Sequence, residues 1–158
     1  MIDIKENHDG PIFLREIEIR YKKKKISREG IAGEITCPAD VVKLFHGLQD
    51  ETKEKIITIN LDAKNKISCF EIVALGSVQS IYVRPMEVFR TAFPVNAYAA
   101  VVLHNHPSGD PTPSESDKEF TRTLNRMATD MGLKFLDHII VGRDSYYSFK
   151  NSSDILTS

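Results

Sequence analysis

Apolar residues recur along the chain in two spacings, one typical of strands and one typical of helices. Runs rich in β-branched and other apolar side chains, bounded by polar or turn-forming residues, predict strands. They lie at residues 56–61, 67–75, 99–103, 133–141 and 145–149. The first two are joined by the polar stretch 62–66 and therefore predict a hairpin. Apolar and charged residues also alternate towards the end of residues 12–20, which predicts a half-buried strand there.

Helical spacing of apolar residues marks three further segments. The longest predicted helix spans residues 114–131, carries an apolar stripe along one side and is followed by Gly132. Shorter helices are predicted over residues 40–48 and from Pro85 onward. Strands and helices are intermixed, and no repeat or interdomain linker interrupts them. The pattern therefore favours a single domain, an α+β or mixed α/β sandwich.

Composition excludes several classes of protein without naming a function. The chain has 158 residues, of which 41% are hydrophobic and 27% charged, and its formal net charge is -1. This balance argues against a strongly basic nucleic-acid module and against an acidic disordered tail. No apolar run approaches the ~20 residues that span a bilayer, and we expect a cytoplasmic protein without membrane contact. Cys37 and Cys69 lie far apart in sequence and suggest neither a metal pair nor a disulfide framework.

One segment has a marked excess of positive charge. Seven basic and three acidic side chains lie within residues 15–29, including the run from Lys22 to Lys25. A solvated turn or an edge strand protected by lysines is the simpler interpretation. A contact with nucleic acid is the alternative.

The residues that predict chemistry surround a loop rich in proline, glycine and serine. His104 and His106 end a predicted buried strand, and they would face the same way because residues two apart in a strand share a face. Asp117 lies in the first turn of the next predicted helix, and the loop could fold that turn back against the strand. Two imidazoles and one carboxylate form a three-ligand metal site of the catalytic type, with a position left for water.

Each of these residues also has a purely structural interpretation. His104 and His106 taken alone could be partly buried polar residues at the end of a strand. The spacing of Ser114 and Asp117 matches a helix capping box, in which the serine oxygen accepts a backbone hydrogen bond. Only the fixed distance of this pair from the two histidines favours a functional site.

The motif resembles the signature of the JAB/MPN (JAMM) metalloproteases. The string His-Asn-His-Pro-Ser-Gly-Asp-Pro-Thr-Pro-Ser at residues 104–114 resembles the RadC branch in particular. The flanking segments 61–65, 84–90 and 136–142 agree with it, so that the resemblance covers about residues 37–150. It implies a cytidine-deaminase-like α/β sandwich, with a mixed central β-sheet flanked by helices. The preceding residues 1–36 would form an N-terminal strand and basic segment, and residues 151–158 a C-terminal tail.

The resemblance also implies a role for individual residues. His104, His106 and Asp117 match the ligands of one catalytic zinc ion per chain. Ser114 matches a hydroxyl that steadies the tetrahedral intermediate. Glu54 matches the general base, with Glu51 as the alternative.

Three more side chains are candidates for contact with a ligating imidazole. Asp110 and Asp137 could accept a hydrogen bond from it, and nothing in the sequence chooses between them. His138 lies in an apolar strand and is either a core histidine or such a partner. Mixed histidine and aspartate ligands suit zinc, although iron, cobalt and nickel use the same donors.

The expected function is therefore zinc-dependent hydrolysis of a peptide or isopeptide bond. The alternative is a DNA-associated accessory module without peptidase activity. RadC-type proteins commonly carry an N-terminal helix-hairpin-helix-like portion, whereas about 36 residues with a strand and lysines precede the domain here. Direct DNA binding is accordingly not favoured. The sequence predicts neither the peptide or protein substrate nor the oligomeric state.

Overall fold

A five-stranded mixed sheet forms the centre of the molecule. The computed structural model describes residues 18, 20–22, 34–76, 83–152 and 154–156. The strands are β1 Lys55–Leu61, β2 Ile67–Leu75, β3 Ala99–Asn105, β4 Lys134–Val141 and β5 Tyr146–Ser148, in the spatial order β2-β1-β3-β4-β5. Only β3 and β4 pair in parallel, and the other neighbours are antiparallel. The predicted strand within residues 12–20 and most of the lysine run lie outside the described residues.

Helices cover both faces of this sheet. They are α1 Pro38–Leu44, α2 Pro85–Phe89, α3 Glu115–Asp130 and α4 Phe149–Ser152, with 3-10 helices at His46–Asp50 and Asp154–Leu156. The expected mixed sheet flanked by helices is confirmed. None of the helices in the described ranges is both long enough and apolar enough to cross a membrane.

Alternation along the strands divides the core between the two faces. Ile59, Val101 and Ile139 belong to the cluster that α1 covers, and we call this side the α1 face. Ala100 and Val102 belong to the cluster that contains Leu124 of α3, and we call this side the α3 face. Successive side chains of a strand point to opposite faces. His104 therefore follows Val102 onto the α3 face.

Two predicted elements are shorter than the pattern indicated. The segment predicted as one helix over residues 40–48 is α1 followed by a 3-10 helix. The strand predicted over residues 145–149 ends at Ser148, because the N–H of Lys150 donates to the carboxylate of Asp137 (3.0 Å) instead of to a strand. A buried side-chain acceptor on β4 thus converts the end of β5 into the helix α4.

The parallel pairing of β3 and β4 determines the position of the loop that follows β3, which is rich in proline, glycine and serine. Parallel neighbours need a crossover connection, and α3 supplies it. The helix begins at a capping box formed by Ser114 and Asp117, and its buried side includes Leu124 and Ala128. The carboxyl end of β3 and the first turn of α3 consequently lie at one edge of the sheet.

Gly142 lies in the turn after β4. It allows the loop between β3 and α3, residues 106–114, to pack against this turn. The N–H of Arg143 donates to the carbonyl of Gly109 (2.8 Å), which brings the two loops into contact. A Cβ at Gly142 would lie 2.4 Å from the Gly109 carbonyl oxygen and 2.7 Å from Cδ of Pro111. No side chain fits there without a shift of the loop backbone.

We therefore expect Gly142→Ala to destabilise the fold by about 1–3 kcal/mol, the usual cost of overpacking. Gly47→Ala is the matched control, because a Cβ at Gly47 meets no atom within 4 Å. Thermal unfolding followed by circular dichroism measures both variants. Equal melting temperatures for Gly142→Ala and Gly47→Ala would contradict the proposed loop packing.

Candidate metal centre

Three potential ligand atoms converge at the carboxyl end of β3. Nε2 of His104 and Nε2 of His106 are 3.0 Å apart. The carboxylate of Asp117 completes the group, with Oδ1 3.3 Å from Nε2 of His104 and Oδ2 3.5 Å from Nε2 of His106. In the described ranges, this is the one cluster of three or more histidine, cysteine or acidic side chains that could hold a metal ion.

The spacing of these atoms is close to that of a tetrahedral zinc site. Zinc–nitrogen and zinc–oxygen bonds of ~2.0–2.1 Å at tetrahedral angles place neighbouring ligand atoms ~3.3 Å apart. The separation of the two Nε2 atoms is 3.0 Å, and their distances of 3.3 and 3.5 Å to the carboxylate are measured to its two different oxygens. One ligand atom from each residue lies within 4.8 Å of the others. The residues present therefore fit a metal ion held by three protein ligands.

The charges in the cluster favour a bound cation. Burial by itself would raise the pKa of Asp117, but hydrogen bonds with His104 and His106 hold that pKa far below its ordinary value. The hydrogen bond with Asp117 raises the pKa of His106, and the charge of Glu54 contributes in the same direction. The carboxylate stays ionised and attracts positive charge, which the histidines supply as protons or a metal ion supplies in their place.

The backbone of the loop orients His106. Its own N–H extends the parallel ladder by donating to the carbonyl of Val141 (3.0 Å). Its Nδ1 lies 2.9 Å from the carbonyl oxygen of Asp110. A carbonyl only accepts, so Nδ1 carries the proton when the ring is neutral and Nε2 presents its lone pair to the cluster.

The capping box of α3 and the candidate site share the same atoms. The N–H of Asp117 donates to Oγ of Ser114 (3.2 Å), which satisfies a free amide of the first helical turn. The Ser114 N–H (2.7 Å) and hydroxyl (2.6 Å) both donate to Oδ2 of Asp117. The structural interpretation of this pair is therefore correct, and it holds the Asp117 carboxylate towards the histidines.

Behind His104 lie two buried polar residues: His138, which the sequence offered as a partner of a ligating imidazole, and Thr121, which it did not name. Nδ1 of His104 is 2.8 Å from Nε2 of His138, and Nδ1 of His138 is 2.7 Å from Oγ1 of Thr121. Burial lowers the pKa of His138 well below its ordinary value, so that this ring is neutral. Thr121 follows Asp117 by four residues, and this helical spacing was the available signal for it.

Asn105 holds the turn that carries the candidate base. Its Oδ1 accepts the N–H of Lys55 (2.8 Å), and its Nδ2 donates to the carbonyls of Lys53 (3.2 Å) and Glu51 (3.4 Å). Asn105 is 1% exposed, so these contacts are shielded from water. The residue between the two histidines thus fixes residues 51–55 at the metal edge of the sheet.

The two candidate glutamates on this turn differ in their partners. Glu51 forms an ion pair with Lys55. Glu54 is half-buried, and its negative charge reaches His106. This difference favours Glu54 as the group that acts near the metal cluster.

Two of the other predicted residues have different contacts from those expected. Asp110 contacts His106 through its backbone carbonyl, while its carboxylate accepts the N–H of Thr112 (2.9 Å). The carboxylate of Asp137 accepts the hydroxyl of Ser148 (2.6 Å) and the N–H of Lys150, and no hydrogen bond to an imidazole is present among the described residues. Asp137 therefore stabilises the end of the sheet.

Comparison with known proteins agrees with this geometry. The RadC-like JAB domain matches residues 35–154. The chain belongs to the RadC-like JAB domain family. A UPF0758 protein of Trichlorobacter lovleyi is 47% identical over 118 residues, which are 74% of this chain and 51% of that protein. Another of Carboxydothermus hydrogenoformans is 40% identical over 114 residues, or 72% of this chain and 50% of that protein. The chain thus spans about half the length of the curated relatives it matches.

Replacement of a predicted ligand tests the metal centre. We expect the wild-type chain to retain one metal ion after dialysis, and His104→Ala and Asp117→Ala to lose it because two ligands remain. His46→Ala is the control, since His46 is exposed and lies outside the cluster. Elemental analysis measures the metal content. One metal ion per chain in all four proteins would disprove this ligand set.

Proposed function

We propose that this chain is a zinc-dependent peptidase that hydrolyses a peptide or isopeptide bond by means of an activated water molecule. The observation that carries the proposal is the convergence of His104, His106 and Asp117, each of which offers a ligand atom within 4.8 Å of the other two. Three protein ligands leave a fourth position open, which distinguishes catalytic from structural zinc sites. Membership in a JAB domain family supports the same chemistry.

The metal and the protein would divide the chemistry between them. A zinc ion held by His104, His106 and Asp117 would supply the Lewis acidity that makes water a nucleophile near neutral pH. Glu54 would take the proton of the attacking water and later deliver it to the leaving amine. The rigid turn held by Asn105 keeps this carboxylate at the metal edge, and the ion pair of Glu51 with Lys55 leaves Glu51 less available.

Ser114 would donate a hydrogen bond to the developing oxyanion. Its hydroxyl lies on the edge of the cluster and donates to Oδ2 of Asp117 at 2.6 Å. The same proton would turn towards the carbonyl oxygen of the substrate as negative charge forms there. A donor of this kind contributes ~3–4 kcal/mol to the stability of the transition state.

The role of Glu54 is tested by an isosteric pair of variants. We expect Glu54→Gln to lower kcat by about 100- to 10,000-fold, because the amide cannot accept the proton, while zinc content stays unchanged. Glu51→Gln is the matched control on the same turn and should retain activity. Zinc-loaded protein is incubated with a library of linear and lysine-branched peptides, and mass spectrometry counts the new termini.

Two results would contradict the proposal. A wild-type chain that holds zinc and yields no more cleavage products than the chelated protein would disprove peptidase activity on these bonds. Loss of activity in Glu51→Gln with full activity in Glu54→Gln would reverse the assignment of the base.

A further inference from the structure

A continuous line of hydrogen bonds connects two of the candidate metal ligands through the interior. It begins at the backbone carbonyl of Asp117, which lies 2.6 Å from Oγ1 of Thr121. It continues from this hydroxyl to Nδ1 of His138 (2.7 Å), and from Nε2 of His138 to Nδ1 of His104 (2.8 Å). The far side of the His104 ring, Nε2, faces the metal cluster.

Protons can be arranged along this line in two opposite directions. A hydroxyl and a neutral imidazole each have one proton to donate along the line, so each group accepts on one side and donates on the other. In one direction Nδ1 of His104 carries the proton and Nε2 has a lone pair for metal. In the opposite direction Nε2 of His104 carries the proton and cannot bind a metal ion.

The carbonyl of Asp117 selects between these directions because it can only accept. At 2.6 Å, the hydroxyl of Thr121 donates to it and must accept from Nδ1–H of His138. Nε2 of His138 then has the lone pair and accepts Nδ1–H of His104. We propose that Thr121 and His138 are positioning residues that hold His104 in the tautomer able to bind metal. The proposal rests on the metal centre of the proposed function and adds to it the way the tautomer is set.

Burial leaves these groups without an alternative partner in water. Thr121 and His138 are 0% exposed and His104 is 2% exposed. The ring of Phe149 stacks on His138 with centroids 5.1 Å apart and planes 8° from parallel. Phe120 contacts the same imidazole edge to face, with centroids 6.0 Å apart. The aromatic rings thus fix the plane of His138, while Thr121 fixes its proton.

His106 provides an internal comparison, since its tautomer is set by a direct contact. The carbonyl of Asp110 lies 2.9 Å from its Nδ1 and imposes the same proton position in one step. Changes at Thr121 or His138 should therefore change the proton position on His104 and leave the proton of His106 on Nδ1. A general loss of structure would alter both.

Metal affinity with matched variants is the first test. Thr121→Val keeps the shape of the side chain and removes the hydroxyl, whereas Thr121→Ser keeps the hydroxyl. We expect Thr121→Val and His138→Phe to weaken Zn²⁺ binding by about 10- to 100-fold, and Thr121→Ser to bind like the wild type. Competition with a chromophoric chelator measures the dissociation constants, and circular dichroism confirms that each variant is folded.

Direct observation of the tautomers is the second test and requires neither metal nor a variant. Long-range ¹H–¹⁵N spectra of the metal-free wild type, recorded at the alkaline end of a pH series where the ring signals no longer change, should show protons on Nδ1 of His104, His106 and His138. In Thr121→Val the proton positions on His104 and His138 should change, whereas His106 should keep its proton on Nδ1. A proton on Nε2 of His104 in the wild type would overturn the proposal.

The two tests also separate failure of this inference from failure of the proposed function. Equal Zn²⁺ affinity in the wild type and Thr121→Val, with loss of binding in His104→Ala, would overturn the positioning role and leave the metal centre intact. Equal binding in the wild type and His104→Ala would disprove the metal centre and with it the positioning of a ligand.

Discussion

The parallel pairing of β3 and β4 is the constraint on which the candidate site depends. Because parallel strands cannot be joined by a tight turn, the chain must cross over through α3. This crossover brings the first turn of the helix, with Asp117, to the end of the strand that carries His104. Since β1 runs antiparallel to β3, with Ile56 opposite His104, the turn that precedes β1 reaches the same edge. One sheet topology therefore assembles the ligands and the candidate base.

Backbone carbonyls at this edge act as fixed acceptors that determine where protons can lie. The Asp110 carbonyl sets the orientation of His106 directly, and the Asp117 carbonyl reaches His104 through Thr121. The carbonyl of Asp117 belongs to α3 and that of Asp110 to the loop after β3, and each can only accept a hydrogen bond. Asn105 also connects a side chain to the backbone. Its amide group forms hydrogen bonds with three backbone groups of residues 51–55, the segment that leads into β1.

Stability and chemistry share atoms at the start of α3. The hydroxyl of Ser114 caps the helix, and the carboxylate that accepts its proton is a candidate ligand. The hydrogen bonds between Ser114 and Asp117 that cap the helix already hold the Asp117 carboxylate in place. No further side chain has to be ordered to orient this candidate ligand. The shared atoms explain why the motif has a valid structural interpretation alongside its proposed role in a metal site.

The sequence by itself determined the strands and the long helix, and it predicted the candidate ligand set His104, His106 and Asp117. Each depends on a local pattern: the apolar runs of β1 and β3, the helical repeat of α3, and the interval between His106 and Asp117. It did not identify Thr121 or Asn105, and it proposed the carboxylates of Asp110 and Asp137 in place of a carbonyl. Only the tertiary structure decided these contacts, because they join residues that lie on different elements, such as Thr121 with His138 and Asn105 with Lys55. Local patterns specify which face a side chain occupies, whereas packing between elements specifies which atom it meets.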